Sequence, residues 1–176
     1  MPILAGLGAA IGVLLVILWR LQQASHAVRD IGEAAEDARG FFRRWAWRRK
    51  TAVNPLDLVT DAREAATAMM AATAEADGAL TERERVTILR FVVEKFGATS
   101  DQAEELLAQG RWLIKDRSDL GETFRRLLPP IRKTCTKQEQ QDLIEMLRTV
   151  AASNGPADQT VAHDIKWLAQ TIQQNK

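Results

Sequence analysis

The sequence has no tyrosine, one cysteine and two histidines among 176 residues. The lone Cys135 cannot form an internal disulfide, which suits a reducing compartment. No second Cys or His stands at ligand spacing from Cys135, His26 or His163, so the pattern of a zinc site is missing. No glycine-rich phosphate loop and no nucleophile motif appears. This inventory argues against an enzyme. Net charge is only +1, so there is no global attraction to nucleic acid, and none is expected as a partner. With 27% charged and 46% hydrophobic residues, the chain is neither disordered nor a multi-span membrane protein.

What is present is unevenly placed. Residues 3–19 carry no charge and would span roughly 25 Å as a helix, the short end for a bilayer core. Trp19 and Arg20 close the run as an interfacial anchor would. A cleaved signal peptide is the competing reading, with Ser25-His26-Ala27 as a loose cleavage site, but no Lys or Arg precedes the run. Residues 1–20 are therefore read as a single transmembrane anchor. Basic residues follow the span and none precedes it. That places the N-terminus outside and residues 20–176 in the cytoplasm of a bacterial-type inner membrane. Gly8 and Gly12 have the GxxxG spacing that lets two helices approach, which suggests a homodimer through the membrane.

Residues 21–56 form a basic and aromatic linker, helical in its spacing. Residues 20–50 hold eight basic and four acidic side chains, whereas residues 51–176 hold 16 and 19. Within the linker, Phe41, Phe42, Arg43, Arg44, Trp45, Trp47, Arg48, Arg49 and Lys50 bring aromatics and cations together, a composition that suits membrane lipid at headgroup level. Packing of these aromatics on the following domain is the alternative. Asn54-Pro55 breaks the chain and marks the domain boundary.

Residues 57–176 show amphipathic helical periodicity and no strand. Six helices are expected. The first covers 60–76, with Ala62, Ala65, Ala66, Met69, Met70 and Thr73 on one face. The second covers 82–96, with Val86, Leu89, Val92, Val93 and Phe96 inward and Gly97 at its end. Ser100 caps a third carrying Ala103, Leu106, Leu107 and Ile114. Ser118 or Asp119 opens a fourth, stopped by Pro129-Pro130. Thr136 to Glu139 is a capping box for the fifth, and Asp158 caps the sixth. The fold class is all-α: one transmembrane helix plus a bundle of six to seven helices.

The chain also echoes itself. Residues 69–91 and 146–168, seventy-seven positions apart, each end one helix at Asp/Asn-Gly and open another three residues later. Gly78 matches Gly155, where a left-handed backbone is expected, and Thr81 matches Asp158. Ala-Glu-Ala-Asp77-Gly78-Ala-Leu-Thr81-Glu-Arg-Glu84, with the Asn154-Gly155 hairpin, resembles the TerB family of tellurite-resistance proteins over residues 57–173. It is also similar to the N-terminal region of membrane-anchored J-domain co-chaperones, although no His-Pro-Asp tripeptide is present. The resemblance implies an all-helical bundle, a stress-response setting and, for some members, divalent-metal binding.

Two readings of Asp77 and Glu84 compete. Laid on an EF-hand loop from Thr73, Asp77 takes position 5, Gly78 position 6 and Glu84 position 12, but Thr73 stands where Asp is required. A Ca or Mn ion would then bind through Asp77 and Glu84, and the protein would be a metal-responsive sensor. In the other reading, Asp77 merely ends a helix and Glu84 reaches back to the Thr81 amide. The leading expectation is a non-catalytic scaffold that recruits an unknown cytosolic or membrane protein.

Overall fold

The computed structural model of the chain describes residues 54–116 and 119–174. The anchor at 3–19, its Gly8 and Gly12, and the linker residues 41–50 lie outside the described residues. Among the described residues no helix is long and apolar enough to cross a membrane.

Among the described residues, six α-helices follow a 3₁₀ turn at Pro55–Leu58: α1 Ala62–Ala74, α2 Glu82–Phe96, α3 Ser100–Leu113, α4 Leu120–Thr134, α5 Lys137–Ala151 and α6 Gln159–Gln174. Each start has a chemical reason. Asp61, Thr81, Thr99, Asp119 and Thr136 accept backbone N–H bonds as N-caps, satisfying donors that a helix cannot satisfy itself. Thr81/Glu84, Thr99/Gln102 and Thr136/Glu139 are full capping boxes. The third helix is thus capped by Thr99, one residue before the expected Ser100. Asp158 accepts from Thr160 N at 2.8 Å and opens α6 as expected.

Helix α1 is the axis of the bundle. It packs against α2, α3, α4 and α5, while α6 covers α4 and α5. Every residue from Glu64 to Ala74 is buried, so the single inward face expected for this helix is in fact an almost complete circumference. Alanine makes this geometry feasible. Small side chains on all sides let neighbouring helices close in, and alanine has the highest helix propensity. The tightest approach is at Gly110 of α3. A Cβ there would lie 3.1 Å from both Cα and N of Ala68, against backbone that cannot move aside. The polar groups of α1 are paired locally: the Thr67 and Thr73 hydroxyls donate to the carbonyls of Arg63 and Met69, and Gln109 donates to the Glu64 carboxylate.

Two helices differ from expectation, one in its buried face and one in its length. In α2, Ile88, Phe91 and Val92 are buried, whereas Val86 and Val93 are 52% and 38% exposed. Residues 86 and 88 are about 200° apart on a helix, so the true core face is opposite the predicted one for those two valines. Apolar residues surround α2, and burying Ile88 and Phe91 removes more apolar area than burying two valines. In α4, Pro129 and Pro130 do not stop the helix, which runs on to Thr134. The prolines remove two helix N–H donors, but the turn beyond them is held. Ile131 is buried, Cys135 N–H reaches the Ile131 carbonyl at 3.0 Å and the Thr134 hydroxyl reaches that of Pro130 at 2.8 Å.

The internal echo is real in the backbone. Helices α1 and α5 end at the equivalent residues Glu75 and Ala152, with φ, ψ of −92°, 12° and −93°, 2°. The glycines do not share one role. Gly155 has φ 138°, Gly97 has φ 66°, and no other described glycine has positive φ. Gly78 therefore does not need the left-handed region expected of it; the turn after Glu75 reverses the chain without it.

These differences separate two glycines by experiment. Gly110→Ala forces α1 and α3 apart and is expected to cost about 1–3 kcal/mol in urea unfolding. Gly78→Ala meets nothing within 4 Å and is expected to be neutral or stabilising, by up to about 1 kcal/mol. Equal losses at both positions would show that the Gly110–Ala68 approach is not the tight contact.

Candidate functional site

One concavity opens where four helix ends meet: the start of α1, the end of α2, the end of α4 and the start of α5. Its volume is about 560 Å³, within the range of ligand and side-chain pockets. Ala62 and Ala66 floor it because α1 carries small residues there, and Phe96, Ile131, Leu143 and Met146 form apolar walls. Asp61, Arg63, Lys95, Glu139 and Asp142 make the rim.

The rim charges are already engaged. Asp61 accepts from Arg63 N at 2.7 Å and from Arg63 Nη2 at 3.1 Å. Burial acts to raise its carboxyl pKa, but the Arg63 side-chain and backbone bonds outweigh this and hold it below the usual carboxylate value. Lys95 Nζ lies 3.8 Å from Asp142 Oδ2. Glu139 is held below its usual value by the Thr136 hydroxyl and amide, its capping-box partners.

Cys135 stands at the α4–α5 corner, half-buried, on the edge of this cleft. Burial raises its thiol pKa. The Thr134 hydroxyl works against that, and the charges of Glu139 and Asp61 add to it. Lys133 and Lys137 flank Cys135 in the sequence, but the net direction is upward. His163 is exposed on α6 and does not line the cleft. A protonated thiol with no imidazole in the lining is poorly equipped for nucleophilic chemistry.

Of the two proposed metal ligands, Glu84 is buried and its Oε2 accepts from Thr81 N at 2.9 Å and from Thr81 Oγ1 at 2.8 Å. The capping reading describes this carboxylate directly. Asp77 is exposed in the turn after α1. Among the described residues, no group of three or more His, Cys, Asp or Glu side chains is placed to hold a metal ion. The same turn meets its counterpart. Asn154 Nδ2 donates to Thr81 Oγ1 at 3.0 Å, so the two related hairpin loops touch.

Sequence reasoning did not foresee the cleft. Asp61, Lys95, Asp142 and Met146 come together only through packing on α1. The sequence model of the family described as "Tellurite resistance protein TerB" matches residues 63–175. That stretch includes both hairpins and most of the cleft. No curated protein and no solved structure matches the chain.

The raised pKa of Cys135 has a kinetic consequence. Alkylation by iodoacetamide needs the thiolate, so at pH 7.5 it should run more slowly than with a free small thiol and climb steadily into the alkaline range. A rate equal to or above that of free cysteine at pH 7.5 would mean that the neighbouring lysines control the thiol after all.

Proposed function

The chain belongs to the TerB family of tellurite-resistance proteins, matched over residues 63–175, and on that premise we propose that it is a non-catalytic module which recruits a protein partner in a stress response. We place it at the cytoplasmic face of a bacterial-type inner membrane, held there by residues 3–19, with the helical domain starting near residue 57. The observation that carries the recruiting role is the cleft at the head of α1. It offers an apolar floor and walls inside a rim whose cations and carboxylates already satisfy one another. Such a site gains from burying a partner's apolar side chain, at about 25 cal/mol per Å². It has no uncompensated charge or activated nucleophile to spend on a reaction.

The membrane part of the reading rests on the uncharged run 3–19 and the basic residues after it. Within it, Phe41 to Lys50 would meet lipid headgroups, and Gly8 and Gly12 would support helix pairing. A divalent-cation role for Asp77 and Glu84 receives less support, because binding would first have to open the Thr81–Glu84 capping box. That opening costs on the order of 1 kcal/mol.

The recruiting role is tested by filling the cleft. Ala62 lies on its floor and is only partly buried, so Ala62→Trp should occupy the cleft without unfolding the bundle. Affinity capture with the full chain from detergent-solubilised membranes is expected to return a specific protein that Ala62→Trp loses while its circular dichroism stays native. An unchanged capture profile in the variant would remove the cleft from the function.

The topology has its own test. A reporter fused after Lys176 should be active when it requires the cytoplasm and silent when it requires export. The reverse pattern, or release of a soluble form starting near Ala27, would replace the anchor by a signal peptide.

A further inference from the structure

A second cleft lies on the other side of Cys135, between the α4–α5 corner and the end of α6. Its volume is about 660 Å³. Arg132 and Lys137 are the charged side chains in its lining, and no carboxylate lines it. This sets them apart from Arg63, Arg85, Lys95, Arg111, Arg126 and Arg148, each of which faces a carboxylate. Neither Arg132 nor Lys137 has an ion-pair partner among the described residues.

The guanidinium is also held in place. Arg132 Nη2 donates to the Thr171 carbonyl at 2.7 Å, which fixes the planar fork and leaves its other N–H groups for an acceptor. Gln140 is buried beside it, oriented by its own bond to the Cys135 carbonyl at 2.9 Å. Ile172, half-buried, supplies an apolar wall. A fixed guanidinium fork and a nearby ammonium in one concavity favour a compact anion with several oxygens and more than one charge. A single carboxylate would engage the fork and leave the second cation unmatched.

We propose that this cleft binds a terminal phosphate group, either inorganic phosphate or a phosphomonoester, a lipid headgroup included. Arg132 takes two of its oxygens, Lys137 supplies the second positive charge, and Ile172 lies against any organic portion. The proposal uses a different cavity from the recruiting cleft and does not depend on that reading.

The test uses the full chain in a mild nonionic detergent. Inorganic phosphate is titrated by calorimetry, with ionic strength held constant by sodium chloride. Saturable heat is expected, accompanied by a rise in the thermal midpoint, because a ligand of the native state stabilises it. Arg132→Gln together with Lys137→Gln should weaken binding by about tenfold or more, the scale of hydrogen bonds to charged groups. Lys137→Gln alone leaves the Arg132–Thr171 bond intact and should give a smaller loss. Lys166→Gln, an exposed cation on α6 outside this lining, should change nothing. Doping the micelles with phosphatidic acid separates the two sources. A raised apparent Kd for phosphate identifies the lipid headgroup as a competitor for the cleft, an unchanged Kd identifies soluble phosphates as the ligands, and either supports the site. No saturable response beyond that to sodium chloride, or wild-type affinity in both the single and the double glutamine variants, overturns it.

Discussion

The bundle depends on one contact geometry, the approach of α3 to α1 at Gly110 and Ala68. A helix buried on all sides must be narrow, because its neighbours need room to touch one another as well as the centre. Alanine at 65, 66, 68, 71, 72 and 74 supplies that narrowness, and Met69 and Met70 fill the gaps that alanine leaves. With α1 at the axis, α2, α3, α4 and α5 are all positioned by contact with it. The cleft at the head of α1 is a by-product of the same choice. At the head of α1, Ala62 and Ala66 are too small to fill the space between the ends of α2 and α4 and the start of α5.

Helix ends were far more legible in the sequence than helix faces. Capping is local chemistry: a hydroxyl or carboxylate meets an amide two or three residues away, so Thr81, Thr136 and Asp158 could be assigned from spacing alone. The same locality explains the slip from Thr99 to Ser100, two adjacent hydroxyl residues of which only Thr99 has Gln at the right distance. Faces are decided at longer range. Val86, Ile88, Leu89, Phe91, Val92 and Val93 give α2 two overlapping apolar stripes, and packing on α1, α3 and α5 selects between them. Pro129-Pro130 was misread for a related reason. The local penalty is genuine, but Leu127, Leu128 and Ile131 are buried in one continuous stripe that a break at the prolines would divide.

The candidate sites follow the same rule. Glu84 was singled out by motif, and its capping role, one of the two readings open to it, is what the geometry displays. Apart from Glu139, which belongs to a capping box, the cleft residues carried no motif because they lie on four different elements. The duplicated hairpins connect these scales. Glu75 and Ala152 end their helices with nearly the same backbone angles, and the two following loops meet through Thr81 and Asn154. What began as a sequence echo is a contact between the related halves, on residues whose first duty is capping.

Cys135 marks the divide between two electrostatic regimes. On one side, Arg63 and Lys95 sit with Asp61 and Asp142, and the cleft they border has little field to offer an ion. On the other side, Arg132 and Lys137 stand without carboxylates. The α5 capping box contributes to the contrast. Glu139 turns back onto Thr136, its carboxylate borders the first cleft, and it is absent from the lining of the second. A paired rim favours apolar contact, because inserting an uncharged side chain leaves its ion pairs intact. An unpaired rim favours an anion, because no carboxylate among the described residues neutralises it. One helix start, capped by one glutamate, thus leaves the two faces of the same corner suited to different kinds of ligand.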